Sequence, residues 1–242
     1  MISLDTHGEV TVVRLDHGKV NALDLELLHA ITATFTGMRG IGGIVLTGQG
    51  RAFSAGVDLR RIVDGGAAYV DDFLPALSEA FLAVYDCPRP VVAAINGHAI
   101  AGGCVFAGAC DVRLMSAGTI GLTELLVGVP FPTVPLEIMR DAAGSAIRRI
   151  ALTGETFSPP DALRLGLIDE VVDPDSLLDE ATRRAEALGR IPAEVYAFTK
   201  GQLHAPARER IEAQRSRHDA MVRQQWSADE THGAMAAFLR DL

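Results

Sequence analysis

Apolar and polar residues alternate on both sides of His7-Gly8 in ISLDTHGEVTVVRLD, which predicts a β-hairpin over residues 2–16. The period then lengthens. Leu23, Leu27, Leu28, Ile31 and Phe35 recur at helical intervals, predicting a helix over 23–36 with Asn21 as its cap. GGIVLTG (42–48) is a short apolar strand bounded by glycines, RAFSAGVDL reads as a turn into polar residues, and a helix is expected over 71–85, before CPRP. VVAAI (91–95) and DVRLMS (111–116) are two more strands. Between them NGHAIAGG turns into the helix GGCVFAGA.

Strands alternating with helices and glycine turns predict an α/β protein with crossover connections and a core closed on both faces. From about residue 133 the pattern is mainly helical, apart from an extended piece at LIDEVVD (167–173). Helices are expected over 175–189, 192–204 and 206–240, the last broken or bent. No repeat or long linker divides the chain. The expected organisation is a core over 1–191 and a helical, Arg- and Glu-rich assembly region over 192–242.

A formal charge of −9 argues against a general nucleic-acid surface, though a few local cations would suffice for a phosphorylated small molecule. Cys87, Cys104 and Cys110 have no metal-ligand spacing and read as reduced, buried hydrophobes, so no metal is expected. No signal peptide or bilayer-spanning run is apparent. The most apolar window, VVAAINGHAIAGGCVFAGA, is explained by a strand, a turn and a helix, and the expected location is cytoplasmic.

Two glycine turns carry candidate chemistry. In AFSAGVD a strand has just ended, so the Ala55 N–H can point out of the sheet edge. In AIAGGC the Gly102 N–H opens a helix, where unpaired donors favour negative charge. Two such donors on one oxygen make an oxyanion hole. The position one helical step past the glycines is Val105, which cannot titrate.

GGIVLTGQGRAFSAGVDL, PRPVVAAINGHAIAGGC, ACDVRL, IGLTELLVGV and LTGETFSPPDALRLGLIDEVV together resemble the enoyl-CoA hydratase/isomerase (crotonase) family, in order over roughly residues 10–200. The resemblance implies a crotonase-like spiral of ββα units with a helical C-terminal region, assembled as a homotrimer or dimer of trimers. It implies an acyl-CoA thioester substrate, with coenzyme A part of the substrate and no separate cofactor. The enolate oxygen would be held by Ala55 and Gly102, with Gly56, Val57, Asp58, Val105 and Arg51 in contact with substrate.

Hydratases of this kind pair two glutamates. One maps onto Glu124 and the other onto Val105. The pattern is instead similar to monofunctional 3,2-enoyl-CoA isomerases, which carry one glutamate in an IGLxE setting and a bulky apolar segment, here VGVPFPTVPL (127–136). A dienoyl-CoA isomerase would need an aspartate near Pro132. Two alternatives stay open: a hydratase or lyase recruiting another carboxylate such as Glu137, and a weakly catalytic acyl-CoA-binding subunit. Lys19, Arg60, Arg61 and Lys200 are further candidates for the nucleotide phosphates, and Asp58 reads as a helix cap. His98 reads as structural.

Overall fold

The computed structural model describes residues 1–240 except Arg39 and Ile41. Its hairpin is β1 (Ile2–His7) and β2 (Val10–Leu15), paired antiparallel. Helix α1 (Leu25–Gly37) follows, then β3 (Ile44–Gly48), β4 (Ala52–Ser54) and α2 (Leu59–Tyr85). Next come β5 (Val91–Ile95), β6 (His98–Ile100) and α3 (Gly102–Gly108), then β7 (Val112–Met115), β8 (Ile120–Gly121) and a 3-10 turn over Glu124–Val127. The distal half holds α4 (Thr133–Ala143), a 3-10 turn over Gly144–Ala146, α5 (Ile147–Thr153), β9 (Thr156–Phe157), α6 (Pro159–Arg164), β10 (Glu170–Val171), α7 (Leu177–Gly189), α8 (Ala193–Trp226) and α9 (Asp229–Arg240).

The strands sort into two sheets, ordered β1-β2-β3-β5-β7-β10 and β4-β6-β8-β9. In each of the pairs β3/β4, β5/β6 and β7/β8, the first strand joins the large sheet and the second the small one, and helix or 3-10 turn follows. This is the expected spiral of ββα units.

The central strands β3 and β5 of the large sheet are buried on both faces, while the edge strand β1 is largely exposed, and a period-two pattern divides the core. Val10, Val12, Val45, Val92, Ala94 and Leu114 pack with Leu177, Ala181 and Ala185 of α7. Their neighbours Val13, Leu15, Leu46, Ala93, Ile95 and Met115 face the main cluster with α1–α4. Parallel strands covered on both sides are apolar at consecutive positions, which is why 44–46 and 91–95 lack simple alternation.

Four expectations change. Asp24, not Asn21, caps α1: its side chain accepts from the Leu27 N–H at 2.9 Å, while Asn21 adopts φ 51. The helix expected from 71 begins at Leu59, where Asp58 caps it by accepting from the Arg60 and Arg61 N–H groups, and it kinks at Gly66 (φ 62, ψ −156). Residues 52–54 and 98–100, read as turns, are short strands of the second sheet. Helix α8 runs through Pro206 without ending, and the chain breaks instead after Trp226.

The last two helices share the main core. Ala207, Ile211, Val222, Trp226 and Met235 all join it, so the described residues after 192 pack on the main core rather than forming a separate one. Trp226 donates from Nε1 to the Pro130 carbonyl at 2.9 Å, and its ring stacks against Phe73. Among the described residues, no helix is long and apolar enough to cross a membrane.

Candidate active site

Strands β4, β6 and β8 run parallel, so their C-terminal ends share one edge of the small sheet. Each continues within three residues into a position of interest: Ser54 into Val57, Ile100 into Gly102, and Gly121 into Glu124. Topology therefore brings together groups separated by 67 positions in sequence (57 to 124).

In the first turn the Ala55 N–H donates to the Val20 carbonyl at 2.9 Å and is not free. This corrects the expectation placed on Ala55. The next N–H, of Gly56, donates to Ser54 Oγ at 3.2 Å. Val57 differs. The Gly56 carbonyl accepts from the Leu23 N–H at 2.8 Å, and the Asp58 N–H donates to the Leu23 carbonyl at 3.0 Å. Amide directions alternate along an extended chain, so the Val57 N–H between them faces away from Leu23 and has no partner among the described residues. The donor of this turn is Val57, two positions beyond the expected residue. Hydrophobicity does not distinguish consecutive amides; only the pairing with residues 20–23 does, and that pairing is non-local.

The second turn places Ala101 at φ 50, ψ −118, a conformation that costs a non-glycine residue roughly 1–3 kcal/mol. The Ala101 N–H is fixed to the Gly121 carbonyl at 2.8 Å, and the Ala101 carbonyl accepts from the Val105 N–H at 3.1 Å. Gly102, the first residue of α3, has an N–H with no partner among the described residues. A Cβ there would stand 2.6 Å from Leu23 Cδ1 and 3.4 Å from Phe81 Cζ, so an added side chain would have to displace the buried Leu23 side chain.

Glu124 opens the 3-10 turn after β8. It is buried, and its Oε2 has no hydrogen-bond partner among the described residues. Burial pushes its carboxyl up to about 8, against a smaller downward pull from its own backbone N–H. The Cys104 thiol on α3 is pushed up by burial and, to a smaller degree, by this carboxylate. A desolvated, unpaired carboxyl that titrates near neutrality suits a general base. Val105 lies fully buried on α3.

The remaining candidates separate by their partners. Glu137 is buried but committed: Arg140 holds it at 3.1 Å and Arg210 also donates to its Oε2. Lys200 is buried and donates to Asp111 at 2.9 Å, so it is not the exposed cation expected there. Arg61 is exposed and bonds Glu26 at 3.0 Å. His98 contacts Thr119, in keeping with a structural role. Arg51, Lys19 and Arg60 are exposed and make no ion pair among the described residues. No group of three His, Cys, Asp or Glu residues is placed to hold a metal ion among the described residues.

A family model described as enoyl-CoA hydratase/isomerase matches residues 5–241. The mouse protein named enoyl-CoA delta isomerase 1, mitochondrial, is 31% identical over 88% of this chain and 78% of its own length. The crystal structure of human mitochondrial delta3-delta2-enoyl-CoA isomerase superposes with a TM-score of 0.93 at 26% identity, covering 99% of this chain and 97% of that one. An enoyl-CoA hydratase structure from Mycobacterium ulcerans gives 0.84 at 29% identity, covering 90% and 98%.

Proposed function

The chain belongs to the enoyl-CoA hydratase/isomerase family, and from that premise we propose that it moves the double bond of a 3-enoyl-CoA to the 2-position. The observation that carries this reading is the buried carboxylate of Glu124, whose Oε2 is the one buried side-chain polar atom without a partner among the described residues, with valine at 105 and Glu137 tied to two arginines. Hydration must activate a water and also deliver a proton, which calls for a second group. An allylic shift needs one.

In the proposed reaction the thioester oxygen accepts from the Val57 and Gly102 N–H groups. The Glu124 carboxylate removes a proton from C2. Electrons move onto the oxygen, giving a dienolate that the two donors stabilise. The protonated Glu124 then returns its proton to C4, the double bond settles between C2 and C3, and the carboxylate is restored. Exposed Arg51, Lys19 and Arg60 are proposed to meet the phosphates of coenzyme A. The assembly is proposed to be a trimer or dimer of trimers; Val195, Phe198 and Leu203 on α8 are 57%, 69% and 68% exposed in the single chain, apolar surface suited to contact with another copy.

Incubation with 3-hexenoyl-CoA and, separately, crotonyl-CoA tests the reaction. A rise in conjugated-thioester absorbance with the first and no loss with the second is expected. Efficient loss with the second overturns isomerisation in favour of hydration.

A further inference from the structure

Asn21 is 1% exposed and sits at φ 51, where few side chains other than Asn and Asp settle. Its Oδ1 accepts from the His17 N–H at 2.9 Å, and its own N–H donates to the His17 carbonyl at 3.0 Å. Its Nδ2 donates to the carbonyls of Ala52 at 3.1 Å and Phe53 at 3.2 Å. Its carbonyl accepts from Ser54 Oγ at 2.8 Å, and that same Oγ accepts from the Gly56 N–H.

These bonds lay residues 20–23 along residues 52–58. Val20 holds the Ala55 N–H, Asn21 holds 52–54, and Leu23 brackets Val57 on both sides. The Leu23 side chain then continues to Gly102, where its Cδ1 occupies the space a Cβ would need. One short segment thus touches both donor turns. A helix cap would need one such bond and a surface turn none. The concentration of bonds on Asn21 and Ser54 falls where chain direction decides which amide faces the site.

We infer that Asn21 and Ser54 are positioning residues: they fix the 54–58 turn so that the Val57 N–H, not that of Ala55 or Gly56, is presented beside Gly102. This rests on the enolate-forming reading of the site. Donors act only when held within a fraction of an ångström, and a displacement of about 1 Å can cost about a hundredfold in rate.

The test uses Asn21→Gly, which tolerates the backbone angle but deletes the amide, and Ser54→Ala, which deletes the hydroxyl. The readout is exchange of the C2 protons of butyryl-CoA in deuterated water, followed by NMR, because exchange requires enolate formation and no double-bond shift. In either variant kcat for exchange should fall by about ten- to a hundredfold, with KM changed less than about threefold. The midpoint of the pH profile should stay at the wild-type value, since Glu124 is untouched. Folded variants that exchange at the wild-type rate overturn the inference. So does a loss shared equally by kcat, KM and thermal stability, which would mark general loosening. A wild type that exchanges butyryl-CoA but leaves 3-hexenoyl-CoA unchanged overturns the isomerase reading alone, and the variants still decide this inference.

Discussion

A Cβ placed on Gly56 would stand 3.4 Å from the backbone nitrogen of Gly102. The turns after β4 and β6 are therefore packed backbone to backbone. Gly56 also sits at φ 84, and its Cβ would come within 2.7 Å of the Ile100 carbonyl oxygen. Two of its three nearest neighbours are main-chain atoms, and the third, Ala101 Cβ at 3.0 Å, is fixed to the backbone, so none can rotate aside.

Gly56→Ala should therefore separate the two donors. With the φ penalty added to a backbone clash, turnover is expected to fall by about a hundredfold or more. The effect is read as kcat on 3-hexenoyl-CoA. Wild-type turnover in the folded variant would show that the turns are not coupled.

Glu137 provides a control among carboxylates. Its bond to Arg210 joins α4 to α8 and its bond to Arg140 lies within α4, so Glu137→Gln should destabilise the fold. Breaking a buried ion pair costs roughly 3–5 kcal/mol, and partial exposure of both arginines reduces that here. Turnover of the remaining folded protein should stay within about twofold of wild type. A large loss of activity with an unchanged melting temperature would restore Glu137 as an acid/base candidate.

Much of this was legible in the chain. Gly102 could be located because a helix start leaves free donors, and Glu124 because the family resemblance maps a glutamate onto it; residue type alone does not tell it from a surface or capping carboxylate. Val57 could not be told from Ala55, since the difference lies in a pairing with residues more than thirty positions upstream. The same distance hid the role of Asn21, a favourable cap residue by type that instead spends its side chain on 52–53. Lys200 looked like a surface cation until packing brought Asp111 to it from 89 positions away. The strands at 98–100 and 120–121 span three and two residues, too short for any period to register.

Phe198 and Leu203 stand exposed on the first third of α8. If that face meets another copy of the chain, Phe198→Asp should shift the mass measured by light scattering from a three- or sixfold multiple toward the single chain. Burying an aspartate without a partner is strongly unfavourable. A wild-type protein that is monomeric at micromolar concentration would remove the assembly proposal.

The ionisation of Glu124 links activity and stability in opposite directions. Its carboxyl titrates at about 8 in the fold, above its ordinary value of 4.5. A base must be ionised, so kcat/KM should rise with pH through about 8 and then level. Between pH 4.5 and 8 the native state holds a proton that the unfolded chain has released, so stability should decline as pH rises across that window and be flat on either side. Glu124→Gln should abolish this slope and melt higher than wild type at pH 8, each ~1 kcal/mol moving the midpoint by about 2–4 °C. Parallel melting curves for the two proteins across pH 5–9 would contradict a raised Glu124.

Val105 and Glu124 together offer the sharpest test. Glu124→Gln preserves shape and removes the base, so isomerisation should drop by at least about a hundredfold while acyl-CoA binding persists. Val105→Glu supplies a second carboxyl on α3 one turn from Gly102, restoring the pair that hydration requires. The position is fully buried, so the new group will be destabilising and largely protonated at neutral pH. Weak but measurable hydration of crotonyl-CoA is expected from it, rising with pH as the new carboxyl ionises. The double variant should do neither reaction well. If Glu124→Gln isomerises at the wild-type rate, the proton travels through another residue and the single-carboxylate reading fails. If Val105→Glu folds and never hydrates at any pH, the valine is not what separates this chain from a hydratase.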